Sequence, residues 1–268
     1  MSQRLKDRIA IVTGAGSSGP GWGNGKAAAV LFAREGAKIL CGDINEAAAR
    51  ETAGIIKAEG GAAEVFACDV SNAGQVEAMV ARCRAAFGGR IDILHNNVGV
   101  ATPGGPEELD EEMFRAALDV NVGSVFRTAK AVLPHMTARK SGAIVNISSL
   151  AAIRWTGYPY FAYYAAKGAV NQATVALAMH YAKHGIRANC IMPGLIDTPL
   201  IYRQISANYA SSEEMVAERN RLVPLGRMGT AFDVANAAVF LASEEARFIT
   251  GICLPVDGGQ SCSAVAGG

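Results

Sequence analysis

The chain has 268 residues, half of them hydrophobic, with 30 glycines and a formal net charge of +1, proportions that suit one well-packed α/β domain. The balanced charge, with no basic block and few aromatics set among Lys or Arg, gives no electrostatic footprint for nucleic acid. No apolar run approaches the roughly 18 residues of a membrane span, and the 6 cysteines and 4 histidines show neither a C-x-x-C pair nor a ligand-like spacing, which points to reduced core thiols and no metal.

The opening MSQRLKDRIAIVTG is polar and passes straight into a strand-like run, so a cytosolic protein is expected. In chain order RIAIVTG, AKILCGD, AEVFACDV, IDILHNN, GAIVNISS, IRANCIMPG and GICLPVDGG read as strands, each apolar on both faces as buried parallel strands are. Stretches of helical spacing such as NEAAARETAGIIKAEG and AFDVANAAVFLASEEA lie between them. This alternation predicts right-handed crossovers and a single Rossmann-type domain over 1–268, with a doubly wound parallel sheet. Such sheets bind ligands at the carboxyl ends of their strands. The span from about 199 to 224 breaks the pattern, polar with a few aromatics between a strand end and the last long helix, and reads as a substrate lid.

The loop after the first strand, TGAGSSGPGWGNGK, holds more glycines than one motif needs. A phosphate-binding turn must run from a strand into the first turn of a helix, where orphan N–H groups and the positive dipole end face the anion. Pro20, Gly21 and Gly23 disfavour helix from Gly19 onward, so the apparent G-x-G-x-x-G of Gly14, Gly16 and Gly19 is a coincidence of composition. GKAAAVLFAREGAK has good helix formers and a stop at Gly36, with Asn24 as the cap. Gly14 is then the turn out of the strand, and Gly23 and Gly25 serve close approach to phosphate and helix packing. A long surface loop without a ligand is the bland alternative.

Further along, YYAAK sets Tyr163 and Lys167 four apart, on one face of a helix. A free phenol has a pKa near 10, too high for a base at neutral pH, and an ammonium one turn away favours the phenolate. Upstream, IVNISS ends a strand with Ser148 and Ser149, where the site of such a sheet belongs.

With CDV at Asp69, NNVG at Asn96 to Gly99, NVG at Asn121, PGLIDT from Pro193 to Thr198 and a closing VDGG, the chain resembles the short-chain dehydrogenases/reductases over essentially its whole length. The resemblance implies that Tyr163 is the general acid/base, that Ser149 hydrogen-bonds the reacting oxygen, and that Lys167 lowers the tyrosine's pKa and holds the nicotinamide ribose. Asn121 would complete a proton relay through a water at Lys167. On the cofactor side it implies Asp69 at the adenine, with Val70 beside it, and Asn97 and Gly99 along the adenosine, Asn97 serving equally as a brace for the central strands. Thr198 and Ile196 would hold the carboxamide, in a wall that includes Pro193 and Gly194. A homotetramer is expected from the family alone.

Two departures stand out. The family's T-G-x-x-x-G-x-G is lengthened here by about five residues, Trp22 among them, if Gly23 is its second glycine. The interval from Ser149 to Tyr163 is one residue longer than usual, which keeps Ser148 open as the catalytic hydroxyl. Asp43, at the end of the second strand, can accept from both ribose hydroxyls and would repel a 2′-phosphate, so the expected cofactor is NAD. Its alternative role is to cap the next helix.

In this family the substrate walls come from the segment before the tyrosine and from the lid. Trp155, Tyr158 and Tyr202, with Tyr160, Phe161 and Tyr209, predict an aromatic pocket for a cyclic or aromatic secondary alcohol, with Arg154 or Arg203 available to an acidic group. Packing of the loop or of a subunit interface is the other use of these rings. The expected activity is NAD-dependent oxidation of that alcohol to the ketone. A 3-oxoacyl-thioester reductase using NADPH and a non-catalytic redox sensor on the same fold are the alternatives.

Overall fold

Each apolar run becomes a strand, and the order in which the strands pair determines where a ligand can enter. The computed structural model describes residues 3–263. Its strands are β1 (Ile9–Thr13), β2 (Lys38–Asp43), β3 (Ala63–Ala67), β4 (Ile93–Asn96), β5 (Gly142–Ile147), β6 (Ile186–Pro193), β7 (Ile196–Asp197), β8 (Gly229–Thr230) and β9 (Cys253–Val256). Seven of them form one parallel sheet in the order β3-β2-β1-β4-β5-β6-β9, and β7 pairs with β8 beside it. All seven runs read as strands from the sequence are in this sheet.

The helices are α1 (Asn24–Arg34), α2 (Glu46–Ala58), α3 (Ala73–Ala86), α4 (Glu111–Leu118), α5 (Ser124–Arg139), α6 (Phe161–Tyr181), α7 (Pro199–Gln204), α8 (Ser212–Arg221) and α9 (Ala231–Ala242). Successive strand residues point to opposite faces, so Val12 and Ile39 enter a core with Phe32 of α1 and Val239 of α9, whereas Ile11 and Leu40 enter one with Met79 of α3 and Met136 of α5. Both faces are thus covered by helices, the doubly wound arrangement. Among the described residues no helix is long and apolar enough to cross a membrane.

From β1 the chain winds outward to β2 and β3, and from β4 it winds the other way to β5 and β6. Loops leaving the carboxyl ends of β1 and β4 therefore diverge, and the cleft they leave is the place for a ligand. Under that cleft runs a buried polar chain that the sequence reading missed. Thr128 Oγ1 donates to Asn96 Oδ1 (2.9 Å), Asn96 Nδ2 to Asn146 Oδ1 (2.9 Å) and Asn146 Nδ2 to Thr174 Oγ1 (2.9 Å). With every member satisfied it ties α5, β4, β5 and α6 into one rigid block.

The helix after the glycine loop starts at Asn24, as the Pro20 and Gly21 punctuation predicts, but Asn24 is not its cap. Gly23 occupies the cap position with extended backbone and no side-chain bond, and Asn24 is the first helical residue. The span 199–224 is largely helical, holding α7, a 3-10 turn over Ser206–Asn208, and α8.

Candidate active site

The first wall of the cleft is built from backbone. Gly14 turns out of β1 with φ +64°, a conformation an L side chain rarely adopts. A Cβ on Gly25 would fall inside the Gly14 carbonyl oxygen and 2.5 Å from Asn97 Nδ2, so Gly25 lets α1 seat against the turn. Gly16, set aside in the sequence reading, is needed as well: its Cβ would lie 2.6 Å from that of Ala48 on α2. Asp43 is not the cap of α2, a role taken by Asn45, whose side chain accepts from Ala48 N–H. Instead its carboxylate accepts from the N–H groups of Gly16 (2.8 Å) and Asn45 (2.9 Å), pinning the glycine loop to the end of β2.

Asn97 supports the same turn, donating Nδ2 to the Gly14 carbonyl at 3.0 Å. Asp69 accepts from the Ser71 N–H and hydroxyl, and those bonds hold its carboxyl below the usual range. Val70, next to it, is buried. The extra loop residues are anchored rather than loose. Trp22 packs on Phe232 of α9 with ring centroids 4.8 Å apart, and buried Lys26 lies 5.1 Å from the Trp22 ring while pairing with Glu51 at 2.5 Å.

A dinucleotide fits this wall. The helix α1, which follows directly on the turn out of β1, opens with a glycine, no capping side chain and no acidic residue. Its first N–H groups are left for an anion such as a pyrophosphate. Asn24 Oδ1 is buried there without a partner, an acceptor that a ligand's donor could satisfy.

The second wall carries the reactive side chains. Ser149 follows β5 and opens a 3-10 turn, its Oγ accepting from Ala151 N–H at 3.1 Å, and it lines a cavity of about 430 Å³ together with Tyr163, Gly99, Pro193 and Gly194. Ser148 points the other way, its hydroxyl donating to the Lys167 carbonyl at 3.0 Å. The hydroxyl facing the cavity is therefore that of Ser149.

Tyr163 and Lys167 share one face of α6, but the Lys167 ammonium lies 5.5 Å from the centre of the Tyr163 ring and donates to the Ile147 carbonyl at 2.9 Å. The expected lowering of the phenol is not found. Burial raises the Tyr163 pKa more than its hydrogen bond with Ser149 lowers it, because the one-turn spacing brings the lysine beside the ring rather than to the hydroxyl. Burial also brings Lys167 down to about 8.

Asn121 sits in a single π-helical turn over Asp119–Gly123, donating Nδ2 to the carbonyls of Val100 (2.9 Å) and Ala117 (2.8 Å) and accepting from Val100 N–H (3.2 Å). A Cβ on Gly99 would fall 2.7 Å from Lys167 Nζ and 3.0 Å from Asn121 Oδ1, so the missing side chain is what lets these groups converge. Ile196 and Thr198 are buried at the entry to α7, where Thr198 takes the cap position without a side-chain bond.

The rings singled out in the sequence lie on one side of the cavity only. Trp155, Tyr158 and Tyr160 line the cavity, and Trp155 stacks on Tyr164 at 5.4 Å. Tyr202 does not line it: its hydroxyl is engaged with Asp197. Phe161 turns to Phe114 (6.1 Å), and Tyr209 braces Tyr158 through a 2.8 Å bond between hydroxyls. From the span 199–224 the wall is mostly aliphatic, with Leu200, Ile201, Ile205 and Leu222, plus Gln204 and Arg219. Arg203 is spent on the Ser18 carbonyl (2.7 Å), which ties α7 to the glycine loop. Among the described residues no group of three or more His, Cys, Asp or Glu is arranged to hold a metal ion.

Comparisons with known proteins give relatives along almost the whole chain. Residues 20–261 match the family model described as enoyl-(acyl carrier protein) reductase. The 2,5-dichloro-2,5-cyclohexadiene-1,4-diol dehydrogenase of Sphingobium indicum is 38% identical over 261 residues, 97% of this chain and 99% of that one. A crystal structure from Burkholderia xenovorans, described as of the short-chain dehydrogenase/reductase kind, is 43% identical with a TM-score of 0.91 over 98% of this chain and 99% of that one. A 7α-hydroxysteroid dehydrogenase complexed with NADH and 7-oxo glycochenodeoxycholic acid is 33% identical with a TM-score of 0.86 over 96% of each chain.

Proposed function

Because the chain belongs to the short-chain dehydrogenase/reductase family and is an NAD(P)-dependent oxidoreductase, we propose that it oxidises a cyclic or aromatic secondary alcohol to the ketone and uses NAD. The observation that carries this reading is the convergence of Ser149 and Tyr163 on one cavity whose walls include the rings of Trp155, Tyr158 and Tyr160 and several aliphatic side chains. When bound, the nicotinamide supplies the hydride acceptor, or the donor in reverse.

Ser149 holds the reacting oxygen through Oγ, and Tyr163 takes the hydroxyl proton during oxidation or gives it back during reduction. Lys167 steadies the negative charge that develops on the phenol and holds the ribose, and Asn121 positions the backbone of the Gly99–Val100 segment beside it while completing the proton path to solvent. The open end of α1, with Gly14, Gly23, Asn24 and Gly25, holds the pyrophosphate. Asp69, Val70, Asn97 and Gly99 flank the adenosine, and Pro193, Gly194, Ile196 and Thr198 the carboxamide. Trp155 and Tyr158 bound the substrate, under α7 and α8 as the lid.

Asp43 favours NAD because a second negative charge on the 2′ oxygen would meet its carboxylate. Lys26 cannot offset that charge, being buried between Trp22 and Glu51. The two named relatives that act on ring compounds support the substrate class. One observation favours a second reading, a 3-oxoacyl-thioester reductase using NADPH: the 3-oxoacyl-[acyl-carrier-protein] reductase of Chlamydia muridarum is 38% identical over 97% of this chain and 100% of that one. A cytosolic homotetramer accompanies the main reading.

Absorbance of the reduced nicotinamide, followed with NAD or NADP over ring alcohols, polyols and oxoacyl thioesters, separates these readings. NAD-linked turnover concentrated on ring alcohols is the expected result. Preference for NADPH and oxoacyl thioesters would overturn it.

A further inference from the structure

Arg219 lies in the last turn of α8 and is only 5% exposed. Its Nε faces Met228 Sδ (3.3 Å) and its Nη1 donates to the Tyr158 hydroxyl (3.3 Å), which leaves most of a five-donor fork unused. Among the described residues no carboxylate pairs with it. A cation sits comfortably near a helix C-terminus, but removing a guanidinium from water without a counter-ion is unfavourable, and proteins pair buried charges.

The cavity itself supplies a second observation. Among the described residues its lining contains two arginines, Arg219 and Arg154, and no Asp or Glu, in a chain whose acidic and basic residues nearly balance, 24 against 25. Arg154, on the segment before α6, is held by the backbone carbonyls of Gln260 and Ser263, and among the described residues no carboxylate pairs with it. Two positive groups therefore face one apolar, aromatic chamber that also holds Ser149 and Tyr163.

We infer that Arg219 is a substrate-binding residue, and that the secondary alcohol or ketone this enzyme takes carries a carboxylate which docks on the Arg219 guanidinium. The planar fork suits a two-oxygen acceptor, and Tyr158 holds the guanidinium in place. The inference rests on the reading of Ser149 and Tyr163 as the reacting end, with the carboxylate at the opposite, α8 side of the chamber. Arg154 is the secondary positive charge.

Isothermal titration of the full chain saturated with oxidised NAD, which cannot reduce a ketone, using 3-oxocyclohexanecarboxylate, 4-acetylbenzoate and 4-oxocyclohexylacetate, each beside its own methyl ester, tests this in the absence of turnover. At least one acid is expected to bind about 10- to 100-fold tighter than its ester, the range of a charge-assisted contact. Arg219→Gln and Arg219→Met, checked for folding by circular dichroism, should bring that ratio near one, and Arg219→Lys should keep part of it. Tyr163→Phe should leave it unchanged. Acids that bind no better than their esters, or a ratio that survives in Arg219→Gln, would overturn the inference. An acid preference without any hydride transfer would leave Arg219 as an anion site and reject the proposed activity instead.

Discussion

The two walls of the cleft differ in what they leave unsatisfied. On the glycine-loop side the charged groups are tied down within the protein: Asp43 to Gly16 and Asn45, Lys26 to Glu51, Asp69 to Ser71. What stays open there is backbone, at the uncapped start of α1. Across the cleft, side chains carry the unpaired charge: Lys167, 2% exposed, and Arg219, neither with a carboxylate partner among the described residues. A ligand used throughout a family can be held by backbone geometry that tolerates sequence change, whereas chemistry and substrate choice need particular side chains in a dry setting. Changes in the first wall should affect all substrates alike, and changes in the second should separate binding from chemistry.

The largest effect should come from Tyr163→Phe. It should cost about 10²- to 10⁴-fold in kcat while NADH affinity stays close to that of the wild type, measured by fluorescence titration. A parallel loss of cofactor binding would break the division between the walls. Gly25→Ala should act in the opposite way. Crowding of the Gly14 carbonyl should destabilise by about 1–3 kcal/mol and weaken NADH binding by one factor whatever the substrate, read from thermal melts and titrations.

Lys167→Met sharpens the contrast through pH. The native ammonium titrates at about 8 and the unfolded one at 10.5, so between those values the unfolded chain holds a proton the native state lacks. Wild-type stability should therefore rise as pH increases through that window, by up to about 3 kcal/mol. Lys167→Met should melt higher than wild type at pH 7, lose that advantage by about pH 10.5, and be nearly inactive throughout. A residue kept at a cost in stability is what a functional charge looks like. Alcohol oxidation by the wild type should also increase from neutral to mildly alkaline pH, because the raised phenol must give up its proton to act as a base.

Much of this was legible in the sequence, for physical reasons that can be named. Buried parallel strands are apolar on both faces, so runs such as IAIVT and GAIVNI announce themselves. Pro20 and Gly21 placed the start of α1 correctly, but a glycine caps through its backbone, and Asn24 was mistaken for the cap. The Tyr163 and Lys167 spacing was readable, whereas the direction of the tyrosine's shift depends on burial and could not be. Tyr202 was placed in the pocket from its ring alone, without sight of the Asp197 that engages it. Arg219 escaped notice because SEEMVAERNR reads as a solvent-facing helix. Only the structure, with Met228 Sδ against its Nε, shows that this arginine is inside.

The division between the walls is tested most directly by the ratio of kcat/KM for NAD to that for NADP, measured with one ring alcohol in wild type, Asp43→Ser and Arg219→Met. The account predicts a ratio well above one in wild type, the same ratio in Arg219→Met even as substrate KM rises, and a fall of about 10-fold or more in Asp43→Ser. A ratio near or below one in wild type, or one that moves with Arg219 rather than Asp43, would contradict it.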